Sequence, residues 1–143
     1  MAKATQQYET SVTLTRAVPA PPEAVFAAWT DPKLIERWLA SRAQIDARPG
    51  GRFRLESGQE HSVSGEYWEF VPRRRLVQTW IYEGPISPAG RAETLLTVDF
   101  QEAKPGSTEI TLKHDQLTDA GYREVIFKGA WKEALDKLEA LYR

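Results

Sequence analysis

The sequence predicts an α+β fold in which a curved antiparallel sheet of about six or seven strands surrounds one long C-terminal helix. Three observations predict it. Apolar and polar residues alternate with period two in short runs between residues 43 and 114, which is typical of half-buried strands. Apolar residues then recur at helical spacing over about residues 119–142. Turns rich in Pro and Gly separate the runs, and strands joined by such short connections pair antiparallel.

The first predicted element is a strand from Tyr8 to Val18. Arg16 is in phase with the apolar residues Val12 and Leu14, which is unusual on a face that is predicted to be buried. We expect Arg16 either to reach water from the end of the strand or to hold a charge at the rim of a cavity.

Two short helices are predicted after this strand. A proline-rich stop precedes the first helix, from Glu23 to Trp29. The second begins at Asp31 and Pro32, because Asp is a good N-cap and Pro suits the first helical turn. It carries Trp38 at core spacing.

The sheet is predicted to continue as a meander of hairpins. The predicted strands cover residues 43–47, 53–55, 62–71, 76–82, 94–100 and 108–114. One face of such a sheet must be covered, and the C-terminal helix is the only predicted element large enough to cover it. That helix is roughly 30 Å long at about 1.5 Å per residue. The space between a curved sheet and a helix favours a small-molecule site.

Length and charge narrow the possible functions. The 143 residues predict a single domain over 1–143, with residues 1–7 disordered. Nineteen basic and 20 acidic residues give a net charge of −1, so no global field draws nucleic acid or an anionic membrane. The polar residues 1–7 do not predict a signal peptide, and no run of apolar residues is long enough to predict a membrane span. We therefore expect a cytoplasmic protein with no nucleic-acid or membrane partner.

The sequence offers few groups for catalysis. The chain has no cysteine and only His61 and His114 as imidazole ligands, which argues against a metal site. It also lacks a nucleophile elbow and the glycine motifs that bind phosphates and dinucleotides. We predict no catalytic residue, no metal and no cofactor.

His114 is open to two interpretations. It is in phase with Ile110 and Leu112 and so lies on the face predicted to look at the long helix. A histidine at a strand end can simply hydrogen-bond to a neighbour. It can also anchor a ligand, or act as a general base because its pKa lies near working pH.

The residues expected to line a ligand cavity are mainly aromatic and aliphatic. They are Trp38, Phe53, Leu55, Trp68, Trp80, Tyr82, Leu96, Val98, His114, Phe127 and Trp131. The inner faces of the strands at 62–71 and 76–82 are ambiguous, because both faces of each strand carry large apolar residues. We interpret Trp68, Trp80 and Tyr82 as pointing inward, where their polar groups could orient an apolar ligand.

A set of motifs in a fixed order resembles one family. The motifs are Pro21-Pro22-Glu23-Ala24-Val25-Phe26, Trp29-Thr30-Asp31-Pro32 with Trp38, Arg48-Pro49-Gly50-Gly51-Arg52-Phe53, Gly65-Glu66-Tyr67-Trp68-Glu69-Phe70-Val71-Pro72, Arg75-Leu76-Val77 with Thr79-Trp80, Thr108-Glu109-Ile110-Thr111-Leu112, and Gly129-Ala130-Trp131 with Leu135 and Leu138. From about residue 12 to the end, the chain resembles the activator of heat-shock protein 90 ATPase homologue-like family. That family belongs to the START-like, or birch-pollen-allergen-like, superfamily (SRPBCC).

The resemblance implies a helix-grip fold with a hydrophobic cavity, but no particular reaction. The first functional hypothesis is a carrier or sensor that binds a small hydrophobic molecule. The second is a cyclase- or hydrolase-like enzyme that uses the same cavity with His114, and Tyr82, as acid or base. The third is contact with a chaperone in a stress response, which rests on the family resemblance alone. We expect a monomer or a weak homodimer.

Overall fold

The computed structural model describes residues 10–143, except for the side chains of Phe127 and Lys128. Its elements are β1 (Val12–Val18), α1 (Pro22–Thr30), α2 (Pro32–Ile35), β2 (Arg42–Ile45), β3 (Arg52–Ser57), β4 (His61–Val71), β5 (Arg75–Glu83), β6 (Arg91–Lys104), β7 (Ser107–Asp115), α3 (Ala120–Val125), a π-helical segment (Ile126–Trp131) and α4 (Lys132–Ala140). Residues 1–7, for which we expect disorder, and Tyr8, the expected start of the first strand, lie outside the described residues.

All seven strands form one antiparallel sheet in the order β1-β7-β6-β5-β4-β3-β2. Consecutive strands from β2 to β7 are neighbours, as the short turns between them require. The first strand closes the other edge by pairing with the last, so that Leu14 lies opposite Leu112. This topology confirms the predicted α+β fold.

Strand β4 lies very close to its neighbour β5 at Gly65 and is irregular shortly after it. A Cβ atom on Gly65 would collide with the backbone carbonyl of Thr79, so only glycine fits this close approach. A few residues later the register shifts between Tyr67 and Glu69. The strand therefore contains a bulge at Trp68, and a bulge reverses the alternation of faces along a strand.

The bulge makes the predicted orientation of Trp68 wrong. Tyr67 is buried on the inner face, and Phe70 packs edge-to-face against it at 5.3 Å. These two inward residues are three positions apart, which an uninterrupted strand could not achieve. Trp68 is the extra residue between them, and it lies on the surface with 59% of its area exposed.

The two short helices cover one end of the sheet. Phe26 of α1 contacts the rings of Phe70 and Phe100 at 5.3 and 5.2 Å. The carboxylate of Asp31 accepts a hydrogen bond from the backbone N–H of Lys33 at 2.9 Å, which confirms the predicted cap. Pro32 occupies the first helical turn as expected.

The C-terminal helix differs from the regular α-helix that the periodicity predicts. It begins at the cap Asp119, whose carboxylate accepts from the N–H of Tyr122 at 2.7 Å. The π-helical segment Ile126–Trp131 then adds residues to a turn, which shifts the face that the following helix presents. From there, Leu135 and Leu138 of α4 are fully buried. No helix within residues 10–143 is long and apolar enough to cross a membrane.

Arg16 joins the first strand to the C-terminal helix. Its guanidinium lies 2.6 Å from Asp136 and 3.3 Å from Glu139. Its position on the helix-facing side of β1 is therefore explained by an ion pair with α4, an outcome that neither of our two interpretations contains.

Candidate functional site

A cavity of about 290 Å³ lies between β3, β4, β5 and the C-terminal helix. Its aromatic lining consists of Trp38, Trp80, Tyr82, Tyr122 and Trp131. Its aliphatic lining consists of Leu39, Leu55, Val63, Ile86, Ile126, Ala130 and Ala134. The remaining lining residues are Ser57, His61, Ser62, Glu133 and Lys137. On the helix, residues 122, 126, 130, 134 and 137 form one stripe, because they are spaced by three or four positions.

The tryptophans of the cavity wall are held in place by packing and by hydrogen bonds of their indole N–H groups. Trp131 lies 5.4 Å from Trp80 and 5.9 Å from Trp29, measured between ring centroids. Trp38 packs edge-to-face on Trp29 at 4.8 Å, and its indole N–H donates to the backbone carbonyl of Ala28 at 2.9 Å. Helix α1 therefore fixes one side of the cavity through Trp29.

Behind this wall, His114 forms the centre of a buried relay of hydrogen bonds. The indole Nε1–H of Trp131 donates to Nδ1 of His114 at 2.9 Å. The Oγ1 of Thr94 lies 2.6 Å from Nε2 of His114 and donates its own proton to the carbonyl of Trp80 at 2.6 Å. Because a hydroxyl has one proton, Nε2 must carry the hydrogen that bonds to Thr94. His114 is thus a neutral imidazole with both nitrogens satisfied.

This environment decides between the two interpretations of His114. The residue is completely buried and does not line the cavity. Burial lowers the pKa of His114 from 6.5 to about 3, against a smaller opposing effect of Asp115. A general base must reach the proton that it abstracts. His114 instead orients Trp131, and the structure places it in the core and not at its expected position in the cavity lining.

Two tyrosines stack at the opposite end of the cavity. The rings of Tyr82 and Tyr122 are 5.8 Å apart and nearly parallel. The hydroxyl of Tyr82 lies 2.7 Å from Nδ1 of His61 and accepts a hydrogen bond from the N–H of Ile86 at 3.1 Å. Tyr82 therefore has its hydroxyl held by the β5–β6 loop, while its ring lines the cavity.

The hydroxyl of Tyr122 has no such partner. It is buried, and no described residue forms a hydrogen bond with it. Burial, and secondarily the neighbouring Tyr82, raises the pKa of Tyr122, so the phenol is protonated at neutral pH. An unpaired buried hydroxyl costs about 1–3 kcal/mol.

The predicted lining residues divide into four groups. Trp38, Leu55, Trp80, Tyr82 and Trp131 do line the cavity. Phe53, Leu96, Val98 and His114 are buried in the core and do not line the cavity. Trp68 is on the outer surface, and the side chain of Phe127 lies outside the described part of the chain.

Sequence reasoning missed His61, Tyr122 and Ile126. His61 lies between the predicted strands at 53–55 and 62–71, but it begins β4, and its ring contacts the hydroxyl of Tyr82. Ile126 and Tyr122 could have been found, because they continue the stripe of Ala130 and Ala134 one and two turns earlier. Among residues 10–143, no group of three or more acidic, histidine or cysteine side chains is placed to hold a metal ion.

The sequence of this chain is similar to those of known proteins. The family described as Activator of Hsp90 ATPase homolog 1-like protein matches residues 19–143. The human Activator of 90 kDa heat shock protein ATPase homolog 1 is 26% identical over 125 residues, covering 82% of this chain and 35% of the human protein. The chain thus spans about a third of the length of this relative and of its mouse counterpart.

Solved structures share the fold over almost the whole chain. CalU16 from Micromonospora echinospora is 29% identical with a TM-score of 0.75, over 92% of this chain and 75% of that one. A protein from Chromobacterium violaceum is 28% identical with a TM-score of 0.78, over 93% and 96%. An HSP90 activator from Plasmodium falciparum is 26% identical with a TM-score of 0.75, over 92% and 95%.

Proposed function

This chain belongs to the family of Activator of Hsp90 ATPase homolog 1-like proteins, and we propose that it binds a small apolar molecule in the cavity between the sheet and the C-terminal helix. The family and the fold fit a ligand-binding or a chaperone-related role. Within that range, we propose a carrier or sensor that binds its ligand without transforming it.

The composition of the cavity wall carries this proposal. Three tryptophans, two tyrosines and seven aliphatic residues surround a space of about 290 Å³, near the lower end of the usual range for ligand pockets. The charged residues Glu133 and Lys137 are exposed on the helix surface, so they lie at the mouth. Such a wall favours a compact, largely aromatic ligand, because burial of apolar area supplies most of the binding free energy.

The state of His114 supports binding without catalysis by this residue. Its two nitrogens are engaged by Trp131 and Thr94, and its ring is enclosed. A proton transfer from this position would have to break a satisfied buried hydrogen bond. We therefore assign His114 the role of fixing the orientation of the Trp131 wall.

A variant that fills the cavity tests the proposal. Ala130 lines the cavity but is itself exposed on the helix surface, so Ala130→Phe should occupy the cavity without disturbing the core. Titration with the fluorescent apolar probe N-phenylnaphthylamine should give one site per chain in the wild type. The affinity should fall at least about tenfold in Ala130→Phe, the equivalent of roughly 1.4 kcal/mol.

A matched control separates filling from the added aromatic ring. Ala140 is exposed on the same helix and does not line the cavity, so Ala140→Phe should bind the probe like the wild type. The proposal fails if Ala130→Phe binds the probe as tightly as Ala140→Phe does. Equal melting temperatures of the two variants would show that folding is not the cause.

A second candidate function is contact with a chaperone. It is favoured by the near-complete overlap with the Plasmodium chain, described as an HSP90 activator, and by the exposed Trp68 and Val71 on β4. Exposed tryptophan is common at the energetic centre of protein interfaces. Calorimetry with a purified 90 kDa heat-shock protein should detect binding that Trp68→Ser weakens and Ala130→Phe leaves unchanged. Equal binding by the wild type and Trp68→Ser would remove Trp68 from this role.

A further inference from the structure

A second cavity, of about 240 Å³, lies on the other side of Tyr122. Among the described residues, Tyr122 is the one that lines both this cavity and the first. The second cavity has a more polar lining, which includes Ser87, Thr94, Gln116 and Thr118. The wall between an apolar and a polar space is therefore built around one tyrosine.

One part of this wall is rigid. Thr94 lines the second cavity, and Trp131 lines the first. His114 connects the two through hydrogen bonds at both ring nitrogens. Moving any of these three side chains would leave a buried polar atom unpaired, at a cost of about 1–3 kcal/mol.

Tyr122 is the part of the wall without such a restraint. Only 3% of its area is exposed, yet its hydroxyl makes no hydrogen bond with any residue from 10 to 143. The bond to Asp119 involves its backbone N–H, so the side chain is held by packing alone, which includes the ring of Tyr82 at 5.8 Å. A rotation that carries the hydroxyl to a polar partner therefore gains a hydrogen bond and loses none.

The charges around the second cavity select against an anion. Arg91 is already paired with Glu83 and Glu93, each at 3.2 Å. The carboxylate of Asp119 caps the helix and adds negative charge to the lining. Among the residues that line the second cavity, an anionic group would meet Glu93 and Asp119 and no cation other than the paired Arg91, whereas a neutral amide or hydroxyl group could bond to Gln116 or Thr118.

We propose that the second cavity is a polar subsite of the ligand site and that Tyr122 is the partition which a bound ligand displaces. The ligand has an aromatic apolar body in the first cavity and a short chain ending in a neutral hydrogen-bonding group in the second. Displacement pairs the hydroxyl of Tyr122 with the neutral polar group of the ligand. This inference rests on the proposed function, because it requires the first cavity to bind the apolar body.

Three matched probes test the subsite. Each carries a naphthalene ring with a butyl, a butanamide or a butanoate chain, and calorimetry measures their dissociation constants. The butanamide probe should bind the wild type at least as tightly as the butyl probe, because its amide is paired in the subsite. The butanoate probe should bind at least about tenfold more weakly than the amide, as expected for an unpaired charge.

Two variants test whether Tyr122 is responsible for the binding of the amide group. Tyr122→Phe keeps the aromatic ring between the cavities but cannot gain a hydrogen bond when that ring is displaced. It should therefore lower the affinity for the butanamide probe about tenfold and leave the affinity for the butyl probe unchanged. Ile126→Ala alters the first cavity one turn further along the same face, so it should change the affinities for both probes by the same factor.

The outcomes separate the two proposals. If no probe binds the wild type, the proposed function fails and the subsite fails with it. If the butyl probe binds but the amide probe binds more weakly, or if Tyr122→Phe keeps the wild-type ratio of the two affinities, only the subsite is refuted. Equal binding of the amide and carboxylate probes would also refute it.

Discussion

Acidification tests the buried hydrogen bonds of His114 with Trp131 and Thr94, because at acidic pH His114 takes up a proton when the chain unfolds. The pKa of His114 is lowered by burial from 6.5 to about 3, so the folded protein keeps it neutral while the unfolded chain protonates it below 6.5. The stabilising contribution is therefore complete above pH 6.5 and is lost as the pH falls from 6.5 towards 3. Between neutral pH and pH 5 the loss should amount to about 2 kcal/mol.

Urea denaturation of the wild type and of His114→Gln measures this contribution. The variant removes the titrating group but keeps His61 and every carboxylate, so the difference between the two pH profiles isolates His114. The free energy of unfolding of the wild type should fall about 2 kcal/mol further than that of His114→Gln between about pH 7 and pH 5. Parallel profiles would refute the neutral, enclosed state of His114.

Two further predictions concern the fold. Gly65→Ala should lower the free energy of unfolding by about 1–3 kcal/mol, because its Cβ would collide with the carbonyl of Thr79. Gly129→Ala has open space around its Cβ and a helical backbone, so it should raise the free energy of unfolding by about 0.5–1 kcal/mol. If urea denaturation showed that both variants change the free energy of unfolding in the same direction, the geometry would be contradicted. Arg16→Met should destabilise the protein by up to about 1 kcal/mol through loss of the ion pair with Asp136 and Glu139. That difference should shrink in high salt, and a difference independent of salt would contradict the assignment.

The order of elements could be predicted from the sequence, because each strand and helix has a local signal. Alternation marks the strands, and Asp31 and Pro32 mark the start of α2. The π-helical segment Ile126–Trp131 was not predictable in this way. It is the segment that carries Trp131 to His114, so the contact depends on tertiary packing that a helical period does not encode.

The inner face of the sheet was predictable only where one strand face is clearly apolar. The phase of His114 with Leu112 correctly placed it inside, and Trp80 and Tyr82 point inward as we interpreted them. The predicted orientation of Trp68 was wrong because one inserted residue reverses the alternation of inward and outward side chains along β4. No residue type in the sequence predicts such a bulge. The depth of His114 could not be predicted either, since it depends on Trp131 from another element.

The most direct test of ligand binding in this cavity is an NMR titration that follows the indole N–H signals of the five tryptophans with N-phenylnaphthylamine. Trp80 and Trp131 line the cavity, whereas Trp68 is exposed on the outer face of the sheet and serves as an internal control. The account predicts that the signals of Trp80 and Trp131 shift and saturate at one probe per chain while that of Trp68 stays in place. A shift of Trp68 alone, or no shift of Trp80 and Trp131, would contradict it.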